Sequence, residues 1–294
     1  MKKVFTGIAL HPDSRKYLEG FSVVTSDPES WYACDGAIVY SPPGEWIAEK
    51  RRIHIKVIAC HSWDEETAFW AEKLGVSLVA VPALWHTVAE HTLALLMSAA
   101  RNIPQANTSI RNGQWTDHEV LKVRHSGRDF SGKTLGIIGL GKIGLELAAM
   151  LRGFGMELCY TDLAPNPLAE GRLGLKFRTL KELLSTSDYV VVLVPLNEET
   201  RGLVGREELS WVKPGSIWVN TARGPLIEEV PFLEALNDGR IASAALDVYW
   251  QEPLPGDHPL LKMDNVVLSP HLGGSTYDCD MVLVRGVEDI LKRG

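Results

Sequence analysis

The chain has 294 residues, 45% of them hydrophobic and 23% charged, with a formal net charge of −7. That length is enough for two ordinary domains, each with a core of its own. An acidic balance with scattered charges offers no basic stripe to nucleic acid, and no apolar run reaches membrane-spanning length, so neither kind of partner is expected. From Lys3 to Pro82 short apolar strands are expected at residues 4–8, 21–25, 36–40, 56–60 and 77–81. They alternate with polar, helix-compatible segments, the pattern of a small parallel α/β unit. A long, mostly apolar helix follows over 87–101, where Val88, His91, Thr92, Leu95, Leu96 and Ala99 fall near one another on successive turns. Its character predicts burial between domains or subunits. Residues 111–128 are polar, carry Trp115 and show no clean period, which reads as a connection or arm.

The run from Lys133 to Gly144 then reads as a buried strand, a glycine turn and the first turn of a helix. Gly139 permits the tight turn, Gly141 lets a backbone approach phosphates, and Gly144 allows the helix to pack closely on the strand. Leu140, Lys142 and Ile143 complete the stretch whose helix N-terminus faces an anion. Ile143, Leu147, Leu151 and Phe154 recur at helical spacing, and a second strand over 156–160 leads to Asp162. A carboxylate there accepts hydrogen bonds from ribose hydroxyls and repels an added phosphate, which favours NAD over NADP. Further strands are expected at 189–194, 216–220, 242–246 and 266–269, with a helix at 228–236 and a helix-compatible tail over 276–294. The whole is a doubly wound sheet.

In open α/β sheets ligands sit beyond the carboxyl ends of the strands, so polar residues just after each strand carry most weight. Arg223 follows one strand in Asn-Thr-Ala-Arg-Gly, Asp247 another in Leu-Asp-Val, and His271 a third in Ser-Pro-His-Leu-Gly-Gly. Glu252 lies in the loop after Asp247. The remaining histidines, His54, His86, His91, His118, His125 and His258, show no ligand-like pairing, and no metal is expected. Cys34, Cys60, Cys159 and Cys279 are widely spaced and read as reduced thiols of a cytoplasmic protein.

With these motifs in their surroundings, Val212-Lys-Pro-Gly-Ser before Arg223, His258-Pro-Leu after Glu252 and Gly273-Gly-Ser-Thr after His271, the chain resembles the D-isomer-specific 2-hydroxyacid dehydrogenases over about residues 57–276. The resemblance implies an α/β fold of two Rossmann-like domains with the active site in the cleft between them. A flavodoxin-like substrate domain would comprise 1–92 completed by 276–294, and an NAD-binding domain 93–275. Arg223, Glu252 and His271 match the family's catalytic set. NAD would be held by the glycine-turn residues, by Asp162, Val194, Pro195, Thr200, Thr221, Ala222, Arg223 and His271, and by Gly273, with Asp247 orienting the nicotinamide end. Reduction of a 2-oxo acid needs a hydride, a proton for the developing alkoxide, and positive charge near ketone and carboxylate. Arg223 supplies the charge, protonated His271 the proton, and Glu252 stabilises the imidazolium. Members of the family pair through the cofactor domain, so a homodimer is expected.

Three departures stand out. The loop that binds the substrate carboxylate through backbone amides is glycine-rich in relatives, but here it reads Ala59-Cys-His-Ser-Trp-Asp-Glu65. The amides of His61 and Ser62 fall at the carboxylate position, and Trp63, with Trp85, is expected to wall a pocket for neutral substituents. Val194 stands where many relatives have histidine, and the chain ends at Gly294, short of a strand that many relatives add. Two other readings stay open: a phosphite dehydrogenase, whose substrate loop has lysine near the position of His61, and a non-catalytic NAD-sensing platform like the C-terminal-binding co-repressors. Formate dehydrogenases of the superfamily carry glutamine where this chain has Glu252.

Overall fold

A computed structural model describes residues 1–40, 54–61, 63, 65–81 and 84–293. The chain divides into two units, Met1–Leu84 with Gly274–Gly294, and Trp85–Gly273. In the first, β1 (Lys2–Thr6), α1 (Pro12–Glu19), β2 (Ser22–Thr25), β3 (Gly36–Val39), β4 (Val57–Cys60), α2 (Glu65–Leu74) and β5 (Ser77–Ala80) build a parallel sheet in the order β2-β1-β3-β4-β5. Side chains alternate across the strands, and both faces are buried. Val4, Ile38, Val57 and Ala59 pack on one side with Leu18 of α1 and with Leu283, Val284, Val287 and Leu291 of the C-terminal helix, Tyr277–Arg293. Phe5, Ala37, Val39, Ile58 and Cys60 form the other side. Asp280, buried on the C-terminal helix, accepts a hydrogen bond from the His11 amide at 2.6 Å, which offsets the cost of burying its charge.

The second unit begins on α3 (Leu84–Ala100), α4 (Ile103–Arg111) and α5 (His118–Arg124). Then follow β6 (Thr134–Ile138), α6 (Lys142–Leu151), β7 (Glu157–Thr161), α7 (Pro167–Leu173), β8 (Lys176–Phe177), α8 (Leu180–Thr186) and β9 (Tyr189–Val192). The unit closes with α9 (Arg206–Ser210), β10 (Ser216–Asn220), α10 (Glu229–Asn237), β11 (Ile241–Leu246) and β12 (Val266–Leu268). The seven strands are parallel in the order β12-β11-β10-β9-β6-β7-β8. Chain order reverses between β6 and β9, which opens a crevice beyond their carboxyl ends. Ala89, Leu95, Leu96 and Ala99 of α3 share one core with Leu135, Ile137, Leu147, Val191 and Val219, so this helix belongs to the sheet's own packing. On the opposite face Ile138, Val190, Trp218, Phe232 and Leu246 pack together.

Several expectations from sequence shift. Residues 111–128 include the short helix α5, because the Asp117 side chain accepts from the amides of Glu119 at 2.9 Å and Val120 at 3.2 Å. The strand expected over 189–194 ends at Val192, and Val194 folds over the turn at Gly139. The short helices α4, α7 and α8 have too few turns to show a period. Their ends carry the signal instead, as where Thr179 and Glu182 form a reciprocal capping box on α8.

Candidate active site

At the end of β6, Gly139 has a φ of 98°, where an added Cβ would stand 2.8 Å from the Val194 amide nitrogen. Only glycine fits a turn so conformed and so closely overlaid. A Cβ on Gly144 would lie 2.6 Å from the Gly139 carbonyl oxygen, which fixes the close seat of α6 on the strand. Gly141, the N-cap of α6, has open space on its Cβ side, and no side chain caps the helix. A bare, outward-facing helix N-terminus with room for a backbone approach is what a pyrophosphate requires, so these residues fit a dinucleotide. The Lys142 ammonium lies 4.7 Å from the centre of the Trp85 ring. Asp162, exposed after β7, accepts from the Leu140 amide at 2.7 Å and the Leu163 amide at 2.7 Å. It therefore ties down the glycine turn in addition to presenting a carboxylate. Thr200 is engaged within its own loop, where its hydroxyl donates to the Pro195 carbonyl at 2.6 Å.

The three candidate catalytic residues come from consecutive strand ends of the same sheet. Asn220 closes β10 by accepting from the Ala222 amide at 3.0 Å and donating to the Arg223 carbonyl at 2.9 Å, which sets the backbone from which the exposed Arg223 guanidinium projects. A side chain on Gly224 would strike the Tyr249–Trp250 backbone, so this loop lies directly on the one that carries Glu252. One Glu252 carboxylate oxygen accepts from the Tyr249 amide at 3.0 Å, and the other lies 2.7 Å from His271 Nδ1. An ionised carboxylate can only accept, so the contact places the proton of a neutral imidazole on Nδ1 and leaves proton exchange to Nε2. Leu254, Leu261, Leu268 and Pro270 wall an apolar cavity of about 630 Å³ beside the pair.

His271 sits at a φ of 55°, left-handed backbone that a residue with a Cβ adopts only when held. Asp247 supplies the hold. Its carbonyl accepts from the His271 amide at 3.0 Å, and its carboxylate from the amides of Leu272 at 2.8 Å and Gly273 at 2.8 Å. Burial acts to raise the Asp247 carboxyl, but hydrogen bonds from His91, Ser269 and the Leu272 amide outweigh it and keep its pKa below the usual aspartate range. The Asp247 side chain is 1% exposed, so this carboxylate grips the histidine turn and presents no open face to a nicotinamide. Tyr249 braces the same turn by sharing its one hydroxyl proton between the Ser269 and Leu246 carbonyls, its hydroxyl pushed by burial up to about 12.

Other expected contacts are placed differently. The Thr221 hydroxyl is buried against Thr92 at 2.7 Å. The His61 amide donates to the Tyr40 carbonyl at 3.1 Å, because pairing between β3 and β4 continues one residue past the strands, and it is thus engaged within the first unit. Burial pushes the His61 imidazole down, against the opposing pull of the Asp280 carboxylate and of a backbone hydrogen bond at Gly274. Ser62 and Asp64 lie outside the described residues. Trp63 is 37% exposed and so is not part of the first unit's core. Sequence reading left His91 and Thr92 as packing residues of α3; the signal that they do more was a polar pair falling at the register of the buried Ala89, Leu95, Leu96 and Ala99. No cluster of three or more potential metal ligands occurs among the described residues.

Residues 93–273 match the model of the D-isomer specific 2-hydroxyacid dehydrogenase NAD binding domain, and the chain belongs to this family. It is 41% identical over 211 residues to a glyoxylate reductase of Korarchaeum cryptofilum, covering 71% of this chain and 63% of that protein. A glyoxylate/hydroxypyruvate reductase B of Yersinia pseudotuberculosis is 39% identical over 206 residues, 69% of this chain and 63% of its own length. The matched stretch thus spans less than two thirds of these curated relatives. The D-lactate dehydrogenase of Escherichia coli superposes with a TM-score of 0.79 at 27% identity, covering 100% of this chain and 96% of that one. The second unit's glycine turn and the family match agree on NAD as cofactor.

Because the folded-state pKa of Asp247 is depressed, its contribution to stability is present above the ordinary aspartate value of about 4 and is lost as pH falls through the lower folded value. The melting temperature should drop across that acid range. Asp247→Asn should be less stable near neutrality yet show a shallower acid decline, and an identical acid slope in both proteins would contradict the assignment.

Proposed function

We propose that the chain is an NAD-dependent D-2-hydroxyacid dehydrogenase acting as a 2-oxo acid reductase, with Arg223, Glu252 and His271 as catalytic residues. The observation that carries this reading is the 2.7 Å contact of His271 Nδ1 with Glu252, held beside the Arg223 loop at neighbouring strand ends. When bound, NADH supplies the hydride. Arg223 pairs with the substrate carboxylate and polarises the ketone oxygen. His271, as the imidazolium steadied and oriented by Glu252, donates its Nε2 proton to the developing alkoxide and becomes the neutral ring; in the reverse direction that neutral ring is the base. The names of the relatives support glyoxylate and hydroxypyruvate as first substrates, and the loop around Trp63, which carries no lysine or arginine, favours neutral substituents over a second carboxylate.

In this reading residues 1–92 with 276–294 form the substrate domain and 93–275 the cofactor domain. Cytoplasmic residence is supported by four buried, free cysteines. A panel of glyoxylate, hydroxypyruvate, pyruvate, oxaloacetate and phosphite, followed at the nicotinamide absorbance, tests the reaction. His271→Ala should lower the rate on the best substrate by about 10²–10⁴-fold with NADH binding nearly intact. Retained activity in that variant removes His271 from the mechanism, and turnover of phosphite alone, or of nothing, selects one of the two other readings.

We assign cofactor choice to Asp162, because a carboxylate at the end of the second strand of the cofactor-binding unit would repel the extra phosphate of NADPH. NADH should be preferred to NADPH, and Asp162→Ser should narrow the ratio. An unchanged ratio of specificity constants would point to another determinant.

A homodimer is proposed from family membership, with the helix over 87–101 as a surface and the arm over residues 111–128, which includes α5, as the exchanged segment. Light scattering at micromolar concentration should give twice the 32.5 kDa chain mass, and a monomeric mass would refute it.

A further inference from the structure

We propose that His91 and Thr92, neighbours on α3, are positioning residues that hold the two backbone turns bearing His271 and Arg223, an inference that rests on the catalytic reading above. Thr92 Oγ1 lies 2.7 Å from the Val88 carbonyl and 2.7 Å from Thr221 Oγ1. A hydroxyl has one proton, and that of Thr92 goes to the carbonyl, so Thr221 donates to Thr92. The pair is buried, and Thr221 opens the loop in which Asn220 and Ala222 set Arg223.

His91 acts on the next strand. Its Nε2 is 3.2 Å from Asp247 Oδ1 and 3.3 Å from Ser269 Oγ, while Ser269 donates its own proton to Asp247 Oδ1 at 2.5 Å. With the serine proton committed and the carboxylate able only to accept, both contacts require the proton on His91 Nε2. That proton bridges the residue that grips the amides of His271, Leu272 and Gly273 and the residue that begins their turn. One helix therefore grips the ends of β10 and β11 through adjacent side chains, one for each turn.

These contacts lie away from the reacting groups, so their effect is on geometry. A misplacement of about 1 Å at a reacting group is enough for rate losses near 10²-fold. His271 is the sensitive case, because its left-handed backbone relaxes once the grip loosens.

The experiment compares His91→Leu, which removes the donor, with His91→Gln, which keeps an N–H, and Thr92→Val with Thr92→Ser. Rates with glyoxylate and NADH, the NADH dissociation constant, the melting temperature and the imidazole ¹⁵N signals of His271, assigned by their loss in His271→Gln, are measured on the intact protein. His91→Leu should reduce kcat by about 10- to 100-fold with NADH affinity within about threefold of wild type and with shifted or broadened His271 signals. His91→Gln should recover most of the rate, and Thr92→Ser should do so relative to Thr92→Val. Wild-type kcat and unmoved His271 signals in His91→Leu would overturn the proposal, as would a rate loss that follows melting temperature alone and is not rescued by glutamine. If wild type turns over no 2-oxo acid, the catalytic reading fails by itself; the His271 signals then still report whether α3 positions that ring.

Discussion

An ionised carboxylate sealed from water at the end of β11 organises the whole constellation. Asp247 has hydrogen-bond donors on both oxygens and another on its carbonyl, and three of those donors are successive backbone amides. Burying a charge so completely is costly unless its lone pairs are filled. Filling them forces the chain after β12 into a turn that L-residues seldom adopt, and it is this turn that presents His271. Stability and catalytic geometry thus depend on the same contacts, since a looser carboxylate would be at once less stable and less able to hold the ring.

The parallel sheet explains why one such peg can serve several residues. In parallel strands all carboxyl ends emerge on one edge, so the loops after β6, β7, β9, β10, β11 and β12 converge there, in contrast to an antiparallel sheet. Convergence alone does not prevent loops from drifting. Here neighbouring loops brace one another: Asp162 holds the Leu140 amide, Val194 covers Gly139, Gly224 admits the Tyr249–Trp250 backbone, and Tyr249 ties Leu246 to Ser269. Each brace links the ends of different strands, which makes the edge a rigid platform for phosphate binding on one side and proton transfer on the other.

Close approach between backbones is the second constraint, and it is met by omitting side chains. At Gly139, Gly144 and Gly224 a Cβ would collide with main-chain atoms, whereas Gly141 faces open space. The first group shapes the loops and the last leaves room for a ligand. The sequence pattern already assigned these roles to Gly139, Gly141 and Gly144, whereas the close approach at Gly224 is seen only in the structure.

Much of the architecture was already legible in the chain. Apolar runs bounded by turns marked eleven of the twelve strands, because a strand buried on both faces needs an unbroken apolar stretch. The two-residue β8 was too short to leave such a mark, and β1 was expected two residues late. Glycine spacing marked the cofactor turn, and Arg223, Glu252 and His271 were marked by their places after strands together with the family resemblance. What local sequence cannot express is which distant partners a polar group acquires. Asp247 was read as a ligand contact and proved to be a buried peg; His61 was read as an amide donor and proved to be paired with Tyr40; His91 and Thr92 passed as helix packing. Periodicity and turn chemistry are local and determine elements, whereas hydrogen-bond saturation of the buried Asp247 depends on residues from 22 to 156 positions away, and only the tertiary structure brings those together.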